Sequence, residues 1–172
     1  VGQLQEAIDD VVREARRPLR EDLPAGCDAV GVVAARAEWW RPLAEDQDRV
    51  FDIGLPTAEL RVGMSALELG DVVDICIDNV FAHTAEGTGL GMKLSGTEET
   101  VTLVVRDDGP GFPAHRSEPR PGTSGLGLEI ARRLVEHAHG SLTTSAPGAP
   151  GEVRIELRRT VPQEPHRHSS RP

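Results

Sequence analysis

The stretch RDDGPGF, residues 106 to 112, places an acidic pair and two glycines directly after an apolar run. Gly109 and Gly111 allow positive φ and a close approach of the backbone, while Pro110 stiffens the turn between them. Such a turn can form a floor for a flat ligand, with Asp107 held above it at the end of a strand. A carboxylate in this position suits an exocyclic amine such as N6 of adenine, in a hydrogen bond that contributes about 1.5–3 kcal/mol.

A second glycine-rich turn, GTSGLGLEI, begins at residue 122 and passes straight into a helical pattern. The backbone amides of Gly125, Leu126 and Gly127 are therefore expected at the N-terminus of a helix. Unpaired N–H groups and the helix dipole attract anions there, so a chain of phosphates fits this position. Taken alone, such a turn is more often a simple helix start than a nucleotide site.

A polar face on another predicted helix supplies a third element. Asn79 and His83 are four residues apart and share a face, with Asp78 beside them and Asp74 on roughly the same side. A carboxamide oxygen can ligate Mg²⁺, which prefers oxygen and retains waters and substrate phosphates. His83 can donate to a phosphate, and Asp78 or Asp74 can polarise an acceptor group. The alternative is an ordinary helix whose polar residues lie near its exposed end.

Hydrophobic periodicity predicts the elements that carry these residues. Helices are predicted over about 1–20, over 28–47, from Ser65 to just before EGTGLG, and over 126–139, where Gly140 is the expected C-cap. Strands are predicted in RVFDIGL, ELRVGM, the LGMKLSG–TVTLVVRD hairpin, SLTTSAP and EVRIELRRTV.

Two pairs of residues are predicted to contribute to the hydrophobic core. Cys27 and Cys76 both lie in apolar helical patterns, which favours plain core cysteines. The Trp39–Trp40 pair is expected to give the second helix a large apolar surface to bury.

Composition limits the classes of function. A chain of 172 residues, 38% hydrophobic, can bury one core of ordinary size. The formal charge of −9, from 28 acidic and 19 basic residues, argues against a nucleic-acid surface, because neutralising phosphates requires clustered Lys and Arg. No apolar run approaches a membrane span and no secretory signal is visible, so any membrane anchor is expected outside this sequence.

Several other catalytic and binding motifs do not occur in the sequence. No GxGxxG opens a βαβ unit, and there is no GxxxxGK[ST] phosphate loop. A G-x-S-x-G nucleophile elbow is also missing, and no Cys/His spacing indicates a metal cluster.

In their order and spacing, DICIDNVFAHT, RDDGPGF and GTSGLGLEIARRLVEHAHGSL resemble the N, G1 and G2 boxes of the GHKL (HATPase_c) ATPases, specifically of sensor histidine kinases. The resemblance covers about residues 40 to 160, and EWWRPLAEDQDRVFDIGLP is similar to the start of the kinase catalytic domain. It implies an α+β, Bergerat-type two-layer sandwich with a mixed, mostly antiparallel sheet covered on one face by helices. ATP and Mg²⁺ are then expected between the helices and a mobile lid.

The resemblance implies a role for each matching residue. Asn79 resembles the Mg²⁺-binding asparagine, His83 the polar residue one turn later that faces the phosphates, and Asp107 the adenine-recognising aspartate. Asp78, Asn79 and His83 are accordingly the predicted catalytic residues. The glycine boxes match the adenine floor, at Gly109 and Gly111, and the lid hinge and phosphate cradle, at Gly125, Leu126 and Gly127.

The sequence departs from the family pattern at four places. Ile75 stands where an asparagine or an acid usually precedes the Mg²⁺ ligand by one turn. The lid between the second and third boxes spans thirteen residues and has no phenylalanine-rich segment, which predicts weaker closure. Thr123 replaces the first glycine of the third box, and Glu152 stands where a threonine near adenine is common.

The phosphoacceptor expected of a histidine kinase is not found in this sequence. None of its six histidines lies in an H-[ED]-x-x-x-P setting, and REARRPL mimics that motif with Arg13 in the histidine's place. We therefore interpret the sequence as a catalytic fragment. Its predicted parts are the end of a dimerisation or linker helix (1–27), the GHKL ATP-binding domain (28–161) and a disordered tail (162–172).

The main hypothesis is the ATP-binding catalytic domain of a sensor histidine kinase. It would transfer the γ-phosphoryl group of ATP to a histidine outside this chain, for relay to a response-regulator aspartate. The implied partners are that regulator and the phosphoacceptor helix of the same full-length protein, which is expected to be a homodimer with this part in the cytoplasm. Two alternatives are an anti-sigma-factor-type GHKL serine kinase and a non-catalytic nucleotide-binding interaction module.

Overall fold

A computed structural model of the chain describes residues 26–111 and 126–160. In chain order, the described elements are β1 (Cys27–Asp28), α1 (Ala29–Asp46), β2 (Phe51–Gly54), β3 (Arg61–Val62), α2 (Ala66–His83), β4 (Leu90–Gly96), β5 (Thr100–Asp107), α3 (Gly127–His137), β6 (Ser141–Thr144) and β7 (Glu152–Arg158). Three of the predicted helices and all six predicted strands are confirmed within a few residues. The helix predicted over 1–20 and the predicted tail lie outside the described residues.

Five strands form one mixed sheet in the order β2-β4-β5-β7-β6. β2 runs parallel to β4, and the other neighbouring strands are antiparallel. The β4–β5 hairpin pairs Leu90 with Asp107, and β7 pairs with β5 so that Arg106 lies opposite Glu152. This register places the end of β5 beside the start of β7.

Alternation along β5 shows which face of the sheet is covered. Val101, Leu103 and Val105 are at most 3% exposed and belong to the core shared with the helices, whereas Arg106 is exposed on the other face. Burying one such valine or leucine side chain stabilises the fold by about 1.5–3 kcal/mol. The expected α+β sandwich, with helices on one face of a mostly antiparallel sheet, is confirmed.

Helix α2 is the central element of the helical layer. A capping box begins it, in which the Glu68 amide donates to Ser65 Oγ at 3.2 Å and the Ser65 amide donates to Glu68 Oε2 at 3.4 Å. The expectation that Ser65 caps this helix is therefore confirmed. The side of α2 that faces the sheet is fully apolar and consists of Leu69, Val72, Val73, Cys76, Ile77 and Val80.

Helices α1 and α2 are joined by a polar and aromatic cluster. Arg36 donates to both carboxylate oxygens of Asp74, and Trp40 Nε1 donates to Asp74 Oδ1 at 2.9 Å. The Trp40 ring stacks on Phe81 with a centroid distance of 5.4 Å. Of the two tryptophans, only Trp40 packs against the core, since Trp39 is 71% exposed. Adjacent helical residues point about 100° apart, so a WW pair cannot place both rings on one face.

The C-terminus of α3 differs in detail from the prediction. His139, with φ 58°, takes the left-handed position that was expected at Gly140. The His139 amide donates to Glu136 O and the Gly140 amide to Val135 O, both at 2.9 Å, which forms a Schellman motif. Glycine is needed at position 140 for another reason, because a Cβ there would lie 2.4 Å from Glu156 O.

Both cysteines are buried and unpaired, so the prediction of core cysteines is confirmed. The expectation that Cys27 lies in a helix is wrong, because it pairs with Val62 in the small β1–β3 ladder. Burial, assisted by the neighbouring Asp28 charge, raises the pKa of Cys27 to about 11, and burial raises that of Cys76 to about 12. Within residues 26–111 and 126–160, no helix has the length and apolar character to cross a membrane.

Candidate functional site

Asp107 is held at the junction of β5 and β7. Its backbone amide donates to Gly151 O at 2.9 Å, and its side-chain Oδ1 accepts from the Gly109 amide at 2.9 Å. The residue is only 9% exposed. The carboxylate is therefore positioned by the sheet on one side and by its own turn on the other.

The two glycines of the acidic turn serve different purposes. Gly111 has φ 73°, and a Cβ there would lie 1.6 Å from the carbonyl oxygen of Ala149. Gly109 does not have positive φ, so that part of the expectation is wrong. It is needed for close packing instead, because its Cβ would lie 2.7 Å from both Asp107 Oδ1 and Thr84 Cγ2. The turn is thus pressed between the end of α2 and the β6–β7 loop.

The polar residues predicted on α2 do not share one environment. Both carboxylate oxygens of Asp74 accept hydrogen bonds from α1, from Arg36 and Trp40. This removes Asp74 from the candidates for polarising an acceptor group and makes it a link between two helices. Asp78 is exposed and remains such a candidate.

Another side of α2, away from the Asp74 contact with α1, faces the start of α3. A Cβ on Gly127 would lie 3.4 Å from Ile75 Cγ2. Asn79 follows Ile75 by one turn and shares its face, where it is half-buried. His83 is the last residue of α2 and is exposed. The structure therefore places Asn79 and His83 on the stretch of α2 that follows the contact with α3.

Helix α2 lies between the acidic turn and the start of α3. At its end Thr84 contacts Gly109, and nine residues earlier Ile75 contacts Gly127. The helical rise separates these contacts by about 13 Å, with Asn79 between them. A nucleotide can span this distance with its base at the acidic turn and its phosphates at the start of α3.

The predicted phosphate cradle is described only in part. Gly127 is the first residue of α3, and Leu126 is its N-cap, with its carbonyl accepting from the Ile130 amide at 2.9 Å. Gly125 and Thr123 lie outside the described residues, as does the predicted lid. The helix has 11 residues, long enough for its dipole to act at this end.

Sequence reasoning did not single out Gly151, and it named Glu152 only as a departure from the family pattern. Gly151 lies opposite Asp107, and a Cβ on it would come within 2.1 Å of Asp107 Oδ2. Glu152 lies on the open face of the sheet, where its Oε1 accepts from Arg154 Nη2 at 3.1 Å. The alternation in EVRIEL, with Val153 buried, is the signal that could have placed Glu152 outward.

Arg49 is a second residue that the sequence did not single out. Only three polar or charged residues are buried in the described part of the chain, namely Arg49, Ser65 and Asp107. Arg49 Nη1 donates to Thr84 Oγ1 at 2.7 Å. Burial lowers the pKa of its guanidinium, and the charges of Glu86 and Asp107 act in the opposite direction. An arginine just before a strand gives no sequence signal for burial.

A groove of about 570 Å³ lies on the open face of the sheet. It is lined by Asp52, Lys93, Arg106, Glu152 and Arg154, among others. Its mixed charges lie on the opposite side of the sheet from the buried core and from the Asp107 side chain. The groove is therefore separate from the candidate site.

The comparison with known families agrees with this geometry. Residues 64–161 match the sequence profile of the family described as histidine kinase-, DNA gyrase B-, and HSP90-like ATPase. The chain belongs to this family of ATPases. The match includes all three motif regions, and the resemblance to the ATP-binding catalytic domain of histidine kinases is confirmed.

Two similar proteins are named as sensor proteins, which agrees with this family. The chain is 30% identical to the probable sensor histidine kinase TcrY of Mycobacterium tuberculosis over 64% of its own length and 26% of that protein. It is 24% identical to the alginate biosynthesis sensor protein KinB of Pseudomonas aeruginosa, over 72% of this chain and 23% of KinB. The chain thus spans about a quarter of the length of these relatives.

A solved structure supports the fold. The mycobacterial sensor histidine kinase MprB superposes with a TM-score of 0.65 at 25% identity, over 78% of this chain and 96% of that one. The boundaries predicted for the ATP-binding domain, 28–161, remain a prediction.

The residues present fit the adenine nucleotide that this family binds. Asp107 offers a buried carboxylate, and the glycines at 109, 111 and 151 stand where any Cβ would collide with its surroundings. For a metal the structure offers less: no group of three or more His, Cys, Asp or Glu side chains in the described ranges could hold one. A Mg²⁺ ion ligated by Asn79 would take most of its other ligands from phosphates and water, as is usual for this ion.

Proposed function

We propose that the site binds adenine at Asp107 and the phosphate chain at the start of α3, with Mg²⁺ held through Asn79. The observation that carries this proposal is the arrangement along α2. The buried carboxylate of Asp107 lies at the C-terminal end of α2. The N-terminus of α3 lies against α2 about 13 Å from that end, measured along the helix. The family membership supports ATP as the nucleotide.

We further propose that the domain passes the γ-phosphoryl group to a histidine outside this chain. The bond between the γ-phosphorus and the bridging oxygen breaks, ADP leaves with that electron pair, and a phosphorus–nitrogen bond to the acceptor imidazole forms. Phosphoryl transfer mainly requires positioning and neutralisation of charge. When bound, Mg²⁺ supplies part of that neutralisation.

Besides Asn79, four residues of this chain take part in that step. The Asp107 carboxylate accepts a hydrogen bond from the adenine amine, and the Gly127 amide at the start of α3 donates to phosphate oxygens. His83, exposed at the end of α2, donates to a phosphate, and Asp78 accepts a hydrogen bond from the incoming acceptor.

The partners and location follow from this chemistry as proposals. The acceptor histidine belongs to a helix of the same full-length protein, which acts as a homodimer. A response regulator receives the phosphoryl group on an aspartate. The domain works in the cytoplasm, where ATP is available, and any membrane anchor belongs to other parts of the protein. Its −9 charge argues against a nucleic-acid partner.

The proposal is tested by titrating the chain with ATP, with and without Mg²⁺, and by comparing Asp107→Asn with Asp108→Asn. The two variants remove the same charge from neighbouring positions, but Asp107 is buried and Asp108 is exposed. Loss of a hydrogen bond to a buried charged partner costs about 1.5–3 kcal/mol, so Asp107→Asn should bind ATP roughly 10- to 100-fold more weakly. Asp108→Asn should bind within about twofold of wild type. Absence of ATP binding by the wild-type chain would refute the proposal.

One observation favours a second function, that of a non-catalytic nucleotide-binding module. The methyl group of Ile75 lies next to Gly127, at the position where the family resemblance implies a polar residue that supports the metal. Under this alternative the chain binds ATP but phosphorylates no histidine when the upstream acceptor helix is supplied. Labelled phosphate on that helix would exclude it, and label on a partner's serine would instead favour the serine-kinase class.

A further inference from the structure

Arg49 is an unusual cation in this fold. It is only 5% exposed, and within the described ranges it makes no salt bridge to a carboxylate. Burying a charge without a close counter-ion is costly, so its hydrogen bonds must offset that cost. Its guanidinium carbon lies 4.7 Å from the centroid of the Phe81 ring, which adds a cation–π contact.

The hydrogen bonds of Arg49 converge on the loop between α2 and β4. Nη1 donates to Thr84 Oγ1 at 2.7 Å and to Thr88 O at 3.2 Å, while Nη2 donates to Thr84 O at 3.3 Å. Nε donates to Gln47 Oε1 at 2.8 Å, and Gln47 O in turn accepts from the Gly87 amide at 2.9 Å. The end of α2 and residues 84–88 are therefore anchored to the segment before β2.

The opposite side of the same loop contacts the acidic turn. The Thr84 methyl group is so close to Gly109 that a Cβ there would lie 2.7 Å from it. Gly89 O accepts from the Asp108 amide at 3.0 Å. One loop therefore connects Arg49 to Asp108 and Gly109, the two residues that follow Asp107.

We propose that Arg49 is a positioning residue for base recognition, acting through Thr84 on the turn that carries Asp107. It touches no part of the nucleotide and holds the loop of residues 84–89 against the Asp107–Gly109 turn. This inference rests on the proposed adenine contact of Asp107. It predicts that losing Arg49 impairs discrimination between bases more than attraction of phosphates, because the start of α3 receives none of these bonds.

The test measures the dissociation constants of ATP and GTP, and that of inorganic tripolyphosphate, for the folded chain. Arg49→Met should lower the preference for ATP over GTP at least fivefold, while tripolyphosphate binds within twofold of wild type. Arg36→Met is the matched control, since Arg36 also links elements of the helical layer but bonds Asp74, away from the turn. This variant should lower thermal stability without changing the ratio of the dissociation constants for ATP and GTP.

A second variant covers the case in which Arg49→Met does not fold. Thr84→Val keeps a methyl group toward Gly109 and removes the hydroxyl that accepts from Arg49 and donates to Val80 O. It should lower the preference for ATP over GTP as Arg49→Met does. The double variant should lose no more of that preference than Arg49→Met, since both changes break the bond between Arg49 and Thr84. A folded Arg49→Met or Thr84→Val protein that prefers ATP over GTP as strongly as wild type would overturn the inference. If the wild-type chain bound no ATP, the proposed function itself would fail, which is a distinguishable result.

Discussion

Replacing Gly111 by alanine tests the packing of the acidic turn against a matched control. Gly111 and Gly148 both have positive φ, 73° and 81°, so alanine should suffer the same backbone strain at either position. That strain is about 1–2 kcal/mol. The surroundings differ, because nothing lies within 4 Å of a Cβ on Gly148, whereas a Cβ on Gly111 would lie 1.6 Å from Ala149 O.

The additional cost at Gly111 can be worked from this contact. An ordinary Cβ contact begins near 3.4 Å, so the β6–β7 loop or the turn must shift by more than 1 Å. That shift stretches the bond from the Asp107 amide to Gly151 O, now 2.9 Å, which is worth about 1 kcal/mol. We expect Gly111→Ala to lower the free energy of unfolding by about 2–3 kcal/mol and Gly148→Ala by about 1–2 kcal/mol.

Urea unfolding and ATP titration measure the two consequences. The folded Gly111→Ala protein should bind ATP at least tenfold more weakly, equivalent to about 1.4 kcal/mol, because the floor beneath the base is displaced. Gly148→Ala should bind ATP as wild type does. Equal losses of stability in the two variants, or unaltered ATP affinity in Gly111→Ala, would refute the reasoning.

Three further predictions concern the metal, the helix pair and the cysteines. Asn79→Ala should abolish the Mg²⁺ dependence of ATP binding while ADP still binds without metal; an unchanged Mg²⁺ dependence in titration would remove Asn79 from the metal site. Asp74→Ala should lower the free energy of unfolding by about 2 kcal/mol, because partly buried Arg36 loses its partner, and Asp74→Asn by less; equal midpoints in urea would contradict this. Cys27 and Cys76, buried and with pKa values raised to about 11 and about 12, should not react with a thiol reagent at pH 8 until the chain is unfolded; rapid labelling of the folded protein would contradict their burial.

Local patterns predicted most of the elements of this fold. The capping box at Ser65, the apolar stripe of α2 and the strand alternation all depend on residues close in sequence. The order of the three motifs was also sufficient to predict the family. The C-cap of α3 was missed by one residue because His139 adopts the left-handed conformation, which the sequence pattern assigned to Gly140.

The errors within the site concern contacts between residues distant in sequence. Asp74 and Asp78 look equivalent on a helical repeat, but Arg36, 38 residues before Asp74, binds only the first of them. Gly151, which the sequence did not single out, lies beside Asp107 because the β5–β7 register places it there.

By itself the sequence determined most of the helices and strands, and which residue types are available for a nucleotide. These properties depend on hydrophobic periodicity, capping and glycine content, all of which act over a few residues. The tertiary structure alone decided that α2 connects the acidic turn with the start of α3 and that Arg49 is buried beneath the loop supporting Asp107. Burial and cross-strand register arise when distant segments exclude water together, so no local pattern contains them.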